Sequence, residues 1–297
     1  MIVEKVLFDC DNTMGLAEKD VDDGITLLYL LGRNDVDLVG ITSTFGNGSV
    51  KEVNKVITRM REELNIKDVP FAKGAGDAGD FNTAAAEFLV EEAKKNKGEV
   101  TLLATGALTN LKAACQLDPQ FFSYLKEIKV MGGITEKLSF GEKEIGELNF
   151  SCDPEAAKLV LEAPVPVMVA TGNMCLNAFF NSDDWQWLQN QEEESYQYIA
   201  KHIEQWYYYG QQLVGEVGFH LWDLVPAVHI THPDLYTKQY YQLHSDVEYL
   251  TTGQLKLEKV ANKKDKIKEP GIINIPTEIK DLDQFKELIF TAWSAIK

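Results

Sequence analysis

The chain opens with an apolar run, "IVEKVLFD", broken only by Glu4 and Lys5, which reads as a buried strand. Residues 20–35, "DVDDGITLLYLLGRND", carry helical periodicity, with an Asp cap near residue 20 and a stop at Gly32. "VDLVGITST" is a second strand. Residues 49–64 form a second helix, with apolar positions at Val50, Val53, Val56, Ile57 and Met60. The alternation continues through a short strand at 69–74, a helix at 83–96, a strand at 99–106 and a helix at 107–117. A strand at 128–133, a helix at 153–163 and a strand at 165–173 extend it.

This rhythm predicts an α/β fold: an open, mostly parallel, Rossmann-like sheet with helices on both faces. After residue 180 the pattern turns helical and aromatic, as in residues 183–216. A short helix is expected at 221–235, a strand pair within 240–260 and an amphipathic helix at 282–297. Residues 261–271, "ANKKDKIKEPG", read as a charged loop. With no linker, repeat or low-complexity tract, residues 1–297 are expected to form a single domain with a helical C-terminal part packed on the sheet. Ligands of open parallel sheets sit at the carboxyl ends of the strands. Asp9, Asp11, Asn47, Thr105 and Met131 all fall at such ends.

Composition narrows the function classes. The chain has 297 residues, is 45% apolar and carries a net charge of −17. That sign argues against a nucleic-acid partner, which requires phosphate neutralisation. No apolar run reaches membrane-spanning length, and the first residues do not resemble a secretory signal. Cys10, Cys115, Cys152 and Cys175 lack paired spacing, as expected for free thiols in a reducing cytoplasm. All five histidines lie at or after His202, so a histidine-based zinc site near the N-terminus is disfavoured.

The densest chemistry lies in "LFDCDNTMGLAEKDVDDG", residues 7–24, which hold five aspartates. It can be read in two ways. Asp9-x-Asp11-x-Thr13 after a strand resembles the first motif of haloacid-dehalogenase-type phosphatases, with Asp9 as nucleophile. "GDAGDFNTA", residues 76–84, mimics their acidic magnesium motif, but the order and spacing are wrong and Asp22 and Asp23 are left without a task. Alternatively, the carboxylates form a nest for a hard divalent cation, because several at one strand–helix junction repel one another without compensation. Asp22 and Asp23 taken alone also suit a first helical turn.

In full, the chain resembles the inosine–uridine-type nucleoside hydrolase family. The opening D-x-D-x-G-x-D-D motif is present as Asp9, Asp11, Asp22 and Asp23, with residues 13–21 lengthened. "TSTFGN", "LLATGALTNLKAA", "IKVMGG", "GELNFSCDPEAA" and "LWDLVPAVHITHPDLY" follow in the family's order, with Ala107 where Pro is usual. The resemblance implies that Asp11, Asp23, the Thr105 carbonyl and Asp223 hold a Ca²⁺ ion, which also binds the ribose diol and a water. It implies that Asp22 is the general base, that Asn47, Glu147 and Asn149 bind ribose and that Met131 lies near the sugar. The implied reaction cleaves a ribonucleoside into base and ribose, in a homodimer or homotetramer.

The chain also departs from the family. Many members carry His before the last metal-binding Asp; here Trp222 stands there, similar to the purine-preferring branch. Trp222 is expected to stack on the leaving base and stabilise its cationic form. A rival role for Trp222 is packing in the helical part. His220 and the aromatics of 206–209 are further candidates for the base pocket, and Phe81 and Asn82 weaker ones. Gly141 falls where an Asn contacting the 5′-hydroxyl is usual. A non-catalytic nucleoside-binding protein is the other alternative.

Overall fold

The computed structural model describes residues 3–140, 143–213, 215–260 and 269–296. Strands β1 (Glu4–Cys10), β2 (Val36–Ser43), β3 (Phe71–Ala72), β4 (Val100–Ala104) and β5 (Glu127–Met131) come first. Between and after them run α1 (Asp22–Gly32), α2 (Val50–Glu63), α3 (Ala84–Lys95), α4 (Thr109–Leu117) and α5 (Phe121–Tyr124). An antiparallel hairpin of β6 (Leu138–Phe140) and β7 (Lys143–Ile145) precedes α6 (Asn149–Cys152), α7 (Pro154–Leu161) and β8 (Val167–Ala170). The chain continues through α8 (Gly172–Cys175), β9 (Phe179–Phe180), α9 (Ser182–Gln189), α10 (Glu194–Leu213), β10 (Phe219–His220) and α11 (Leu224–Thr231). It ends with β11 (Tyr240–Leu243), α12 (Val247–Leu250), β12 (Leu257–Lys259), β13 (Ile272–Asn274) and α13 (Leu282–Ser294).

Nine strands form one sheet among the described residues, in the order β12-β11-β13-β8-β5-β4-β1-β2-β3. From β13 to β3 every neighbouring pair is parallel, so their carboxyl ends share one edge. The alternation of β1 divides two cores, because successive side chains point to opposite faces. Val6, Phe8 and Cys10 pack into a layer with Ile25, Leu28, Val53 and Ile57. Leu7 faces the other layer with Leu89, Leu111 and Val160. Cys10 and the other three cysteines are free.

Two contacts lock the C-terminal helix onto α1. Trp293 is fully buried and donates its indole N–H to the Ile25 carbonyl at 3.1 Å. Gly32 lets the helices touch: a Cβ there would lie 1.8 Å from the Ala292 carbonyl oxygen. The expected strand pair appears as β11 and β12, antiparallel to each other. The C-terminal part is less purely helical than the sequence pattern implied, because β13 inserts between β11 and β8. Most of the charged stretch, residues 261–268, and Gly141 lie outside the described residues. No described helix is long and apolar enough to cross a membrane.

Candidate active site

The parallel strands deliver their following residues to one edge, and a cavity of about 250 Å³ opens there. Asp22, Asn47, Thr105, Met131, Glu147, Asn149, Trp222 and Asp223 all line it. Asp11 and Asp23 are fully or almost fully buried beside them. The predicted site residues therefore converge from β1, α1, β2, β4, β5, α6 and the start of α11.

One carboxylate oxygen from each of Asp22, Asp23 and Asp223 lies within 4.8 Å of the others. Asp223 occupies the N-cap of α11 but makes no side-chain cap bond. Its backbone N–H donates to Asp22 Oδ2 at 3.3 Å, which joins α11 to α1. Asp22 Oδ1 accepts from the Asp23 amide at 3.1 Å. Thr105 Oγ1 donates to Asp23 Oδ1 at 2.6 Å. Asp11 adjoins Asp23 and is held by Asn47, whose backbone N–H reaches Oδ2 at 2.6 Å and whose Nδ2 reaches Oδ1 at 3.3 Å.

Burial pushes the carboxyl groups of Asp11, Asp22, Asp23 and Asp223 up. For Asp22, Asp23 and Asp223 the neighbouring carboxylates add to that rise. Simple helix capping does not explain four converging acids. Among the described residues no lysine or arginine lines the cavity to neutralise them. Buried, converging hard oxygen donors fit a divalent cation such as Ca²⁺.

The ribose-binding candidates are held firmly. Glu147 accepts three backbone hydrogen bonds, from Gly133 at 3.1 Å, Phe150 at 2.8 Å and Ser151 at 2.9 Å. Asn149 Nδ2 donates to the carbonyls of Thr105 at 2.8 Å and Met131 at 3.1 Å. Asn149 thus orients the Thr105 carbonyl, a role its sequence position did not reveal.

An aromatic wall closes the other side. Trp222 is half-buried and lies 4.7 Å from His220, ring centre to ring centre. His220 lines the cavity and stacks on Phe140 at 5.0 Å and 15°. Burial pushes its imidazole down to about 4, so it is neutral near pH 7. Of residues 206–209, Trp206 lines the cavity, whereas Tyr207 stacks on Trp185 at 4.7 Å in the core. Phe81 and Asn82 do not line it; the Phe81 ring lies 5.1 Å from Lys112 Nζ. Of the lining residues, Phe140 was not singled out from the sequence and Trp206 was only a further candidate, because each sits in an element whose pattern equally suits packing.

The phosphatase reading does not survive the geometry. Asp9 is fully buried and does not line the cavity. It accepts hydrogen bonds from Thr42 Oγ1 at 2.5 Å and Asn110 Nδ2 at 2.7 Å. In the "GDAGDFNTA" stretch, Asp77 accepts from Gly79 N at 2.8 Å and Asp80 from Gly76 N at 3.1 Å, as turn formers.

An acidic nest beside an aromatic wall, at the carboxyl edge of an open parallel sheet, fits a divalent cation next to a surface on which a flat ring can stack. The chain belongs to the inosine-uridine preferring nucleoside hydrolase family, whose profile matches residues 6–287. It is an N-ribohydrolase of that metal-dependent family. It is similar to uridine nucleosidase 1 of Arabidopsis thaliana, at 28% identity over 265 residues, covering 79% of this chain and 76% of the relative. Its fold is similar to the plant nucleoside hydrolase PpNRh1, with a TM-score of 0.84, 19% identity and coverage of 98% and 99%. It is also similar to a purine-preferring ribonucleoside hydrolase from Gardnerella vaginalis, with a TM-score of 0.82, 21% identity and 99% coverage of both chains.

Proposed function

We propose that this chain, acting as one domain, is a Ca²⁺-dependent hydrolase of ribonucleosides that prefers purines. The observation carrying this reading is the mutual approach of Asp22, Asp23 and Asp223 beside the Trp222 wall. Asp11, Asp23, Asp223 and the Thr105 carbonyl would hold the ion. A bound cation supplies acidification of the attacking water and a grip on the ribose diol.

The remaining chemistry belongs to the protein. Asp22 takes the proton from the attacking water as general base. Asn47, Glu147 and Asn149 position the ribose, with Met131 beneath it. The anionic field of the nest stabilises positive charge that develops on the sugar as the glycosidic bond breaks. Trp222 stacks on the leaving base and favours its protonated form. His220, kept neutral by burial, is a poor proton donor near pH 7. This leaves stacking as the protein's contribution to leaving-group activation.

Asp11 is the specific competitor for the base role, because it adjoins Asp23 yet lies outside the three-carboxylate cluster that contains Asp22. Parallel Asp11→Asn and Asp22→Asn variants, each assayed for Ca²⁺ binding and turnover, decide between them. The purine preference rests on Trp222. The Arabidopsis relative is named a uridine nucleosidase, so uridine belongs in the substrate panel beside inosine, guanosine and adenosine. A homo-oligomer in the cytoplasm, as dimer or tetramer, completes the proposal; sedimentation measures its size.

A further inference from the structure

The proposed chemistry gives residues 13–21 no task, although they lie directly before the catalytic pair. They form a loop with fixed attachments. Thr13 Oγ1 donates to the Asp20 carbonyl at 2.8 Å and closes its base. Met14 is fully buried against α1, where a Cβ on Gly24 would come within 2.4 Å of it. Arg59 of α2 donates to the Met14 carbonyl at 2.6 Å. The Glu18 amide donates to Gln205 Oε1 of α10 at 2.9 Å. The loop is thereby pinned between two helices.

Of this pinned loop Asp20 lines the cavity, and its neighbour Lys19 reaches the backbone beside the nest. Its Nζ donates to the Asn47 carbonyl at 2.6 Å. Asn47 donates both its backbone N–H and its Nδ2 to Asp11. The backbone here is pressed against that carboxylate: Gly46 has φ 153°, and a Cβ on it would lie 1.9 Å from Asp11 Oδ2. A chain of hydrogen bonds therefore runs from Lys19 through Asn47 to Asp11.

We propose that Lys19 is a positioning residue: it fixes the Asn47 backbone so that both Asn47 donors orient Asp11 within the acidic nest. The inference rests on the hydrolase function proposed above. It supplies a purpose for the lengthened segment, which carries the lysine to a place a short turn does not reach. The ammonium can act in two ways with opposite signs. As a bare charge it repels a divalent cation, so removing it would tighten cation binding. As a tether it keeps a carboxylate in its binding geometry, and loss of such an outer partner weakens a metal site by about 10–100-fold.

The test uses the full chain with Lys19→Met and Lys19→Arg, alone and in an Asn47→Ala background. Calorimetry measures Ca²⁺ affinity, and steady-state assays with inosine separate kcat from KM. Positioning predicts that Lys19→Met weakens Ca²⁺ by about tenfold or more and lowers kcat more than it raises KM. Lys19→Arg restores most of both. In the Asn47→Ala background Lys19→Met still weakens Ca²⁺ binding, because the backbone carbonyl that Lys19 holds and the backbone N–H that reaches Asp11 both remain. Tighter Ca²⁺ binding, unchanged affinity, or an effect of Lys19→Met that vanishes in the Asn47→Ala background would overturn the inference. If the wild type releases no base from any nucleoside, the hydrolase proposal fails, while the Ca²⁺ affinities still decide the role of Lys19.

Discussion

Asn110 donates a hydrogen bond to Asp9 at 2.7 Å across 101 residues of sequence. Thr42 donates to the same oxygen, so the end of β1 is tied to β2 and to the start of α4. The Thr105 amide also donates to the Asp9 carbonyl at 2.9 Å. Asp9 is a joint beneath the catalytic edge. Burial pushes its carboxyl up to about 7, against the lowering effect of Thr42 and Asn110. Asp9→Asn keeps the shape of this joint and should retain nucleoside hydrolysis within about tenfold, about 1.4 kcal/mol of barrier. A covalent role for Asp9 would instead abolish turnover. Asp9→Leu should unfold more readily, because Thr42 and Asn110 would lose a buried partner at a cost of about 1–3 kcal/mol each.

Asp22 and its neighbours should separate by assay. Asp22→Asn should lower kcat by about 10²–10⁴-fold while Ca²⁺ binding survives. Asp23→Asn should lose Ca²⁺ affinity first and turnover with it. Calorimetry paired with single-turnover kinetics distinguishes the two patterns. Retained turnover in Asp22→Asn, with loss in an Asp11→Asn enzyme that still binds Ca²⁺, would move the base role to Asp11.

Trp222 should matter in proportion to the difficulty of the leaving group. Trp222→Ala should cut kcat for inosine far more than for an activated nitrophenyl riboside, whose leaving group needs no protonation. Stacking of a cation on an aromatic face is worth up to about 2 kcal/mol when desolvated, or roughly thirtyfold. Equal losses on both substrates would assign Trp222 to packing.

Acid stability should report His229, which sits in α11 away from the cavity. Both its ring nitrogens are buried without a partner among the described residues. Burial, aided by Lys129 and Lys238, pushes its pKa down to about 2. An unfolded histidine titrates near 6.5. Between these values the unfolded chain holds a proton that the native chain lacks. The contribution of His229 to stability is therefore full above about pH 6.5 and falls with pH through that window, by about 1.4 kcal/mol per unit. Urea unfolding at pH 7.5 and 4.5 should show the wild type losing up to about 3 kcal/mol more than His229→Leu. An identical loss in both proteins would contradict the buried neutral imidazole.

Much of this was legible in the sequence because the central strands are continuous apolar runs and the helices carry clear periodicity. Ser49 with Glu52 even forms the capping box that opens α2. β13 was missed because its three residues are shorter than any periodic signal. The β6–β7 hairpin mixes apolar and charged positions and looks like loop. Asp11, Asp22 and Asp23 could be picked out because their spacing is distinctive, whereas Asp223 was reached only through the resemblance to the family. Asn149 holding the Thr105 carbonyl and Lys19 holding Asn47 could not, because a hydrogen bond between distant segments leaves no local pattern. His220 was ambiguous for another reason: only the β9–β10 pairing turns it toward the cavity.

The most direct measurement is release of reducing sugar from a panel of purine, pyrimidine and modified ribonucleosides, with and without exhaustive chelation. The expected result is base and ribose from at least one purine ribonucleoside, lost on chelation and restored by Ca²⁺. No release from any nucleoside, or release indifferent to metal removal, would contradict the assignment of the acidic nest.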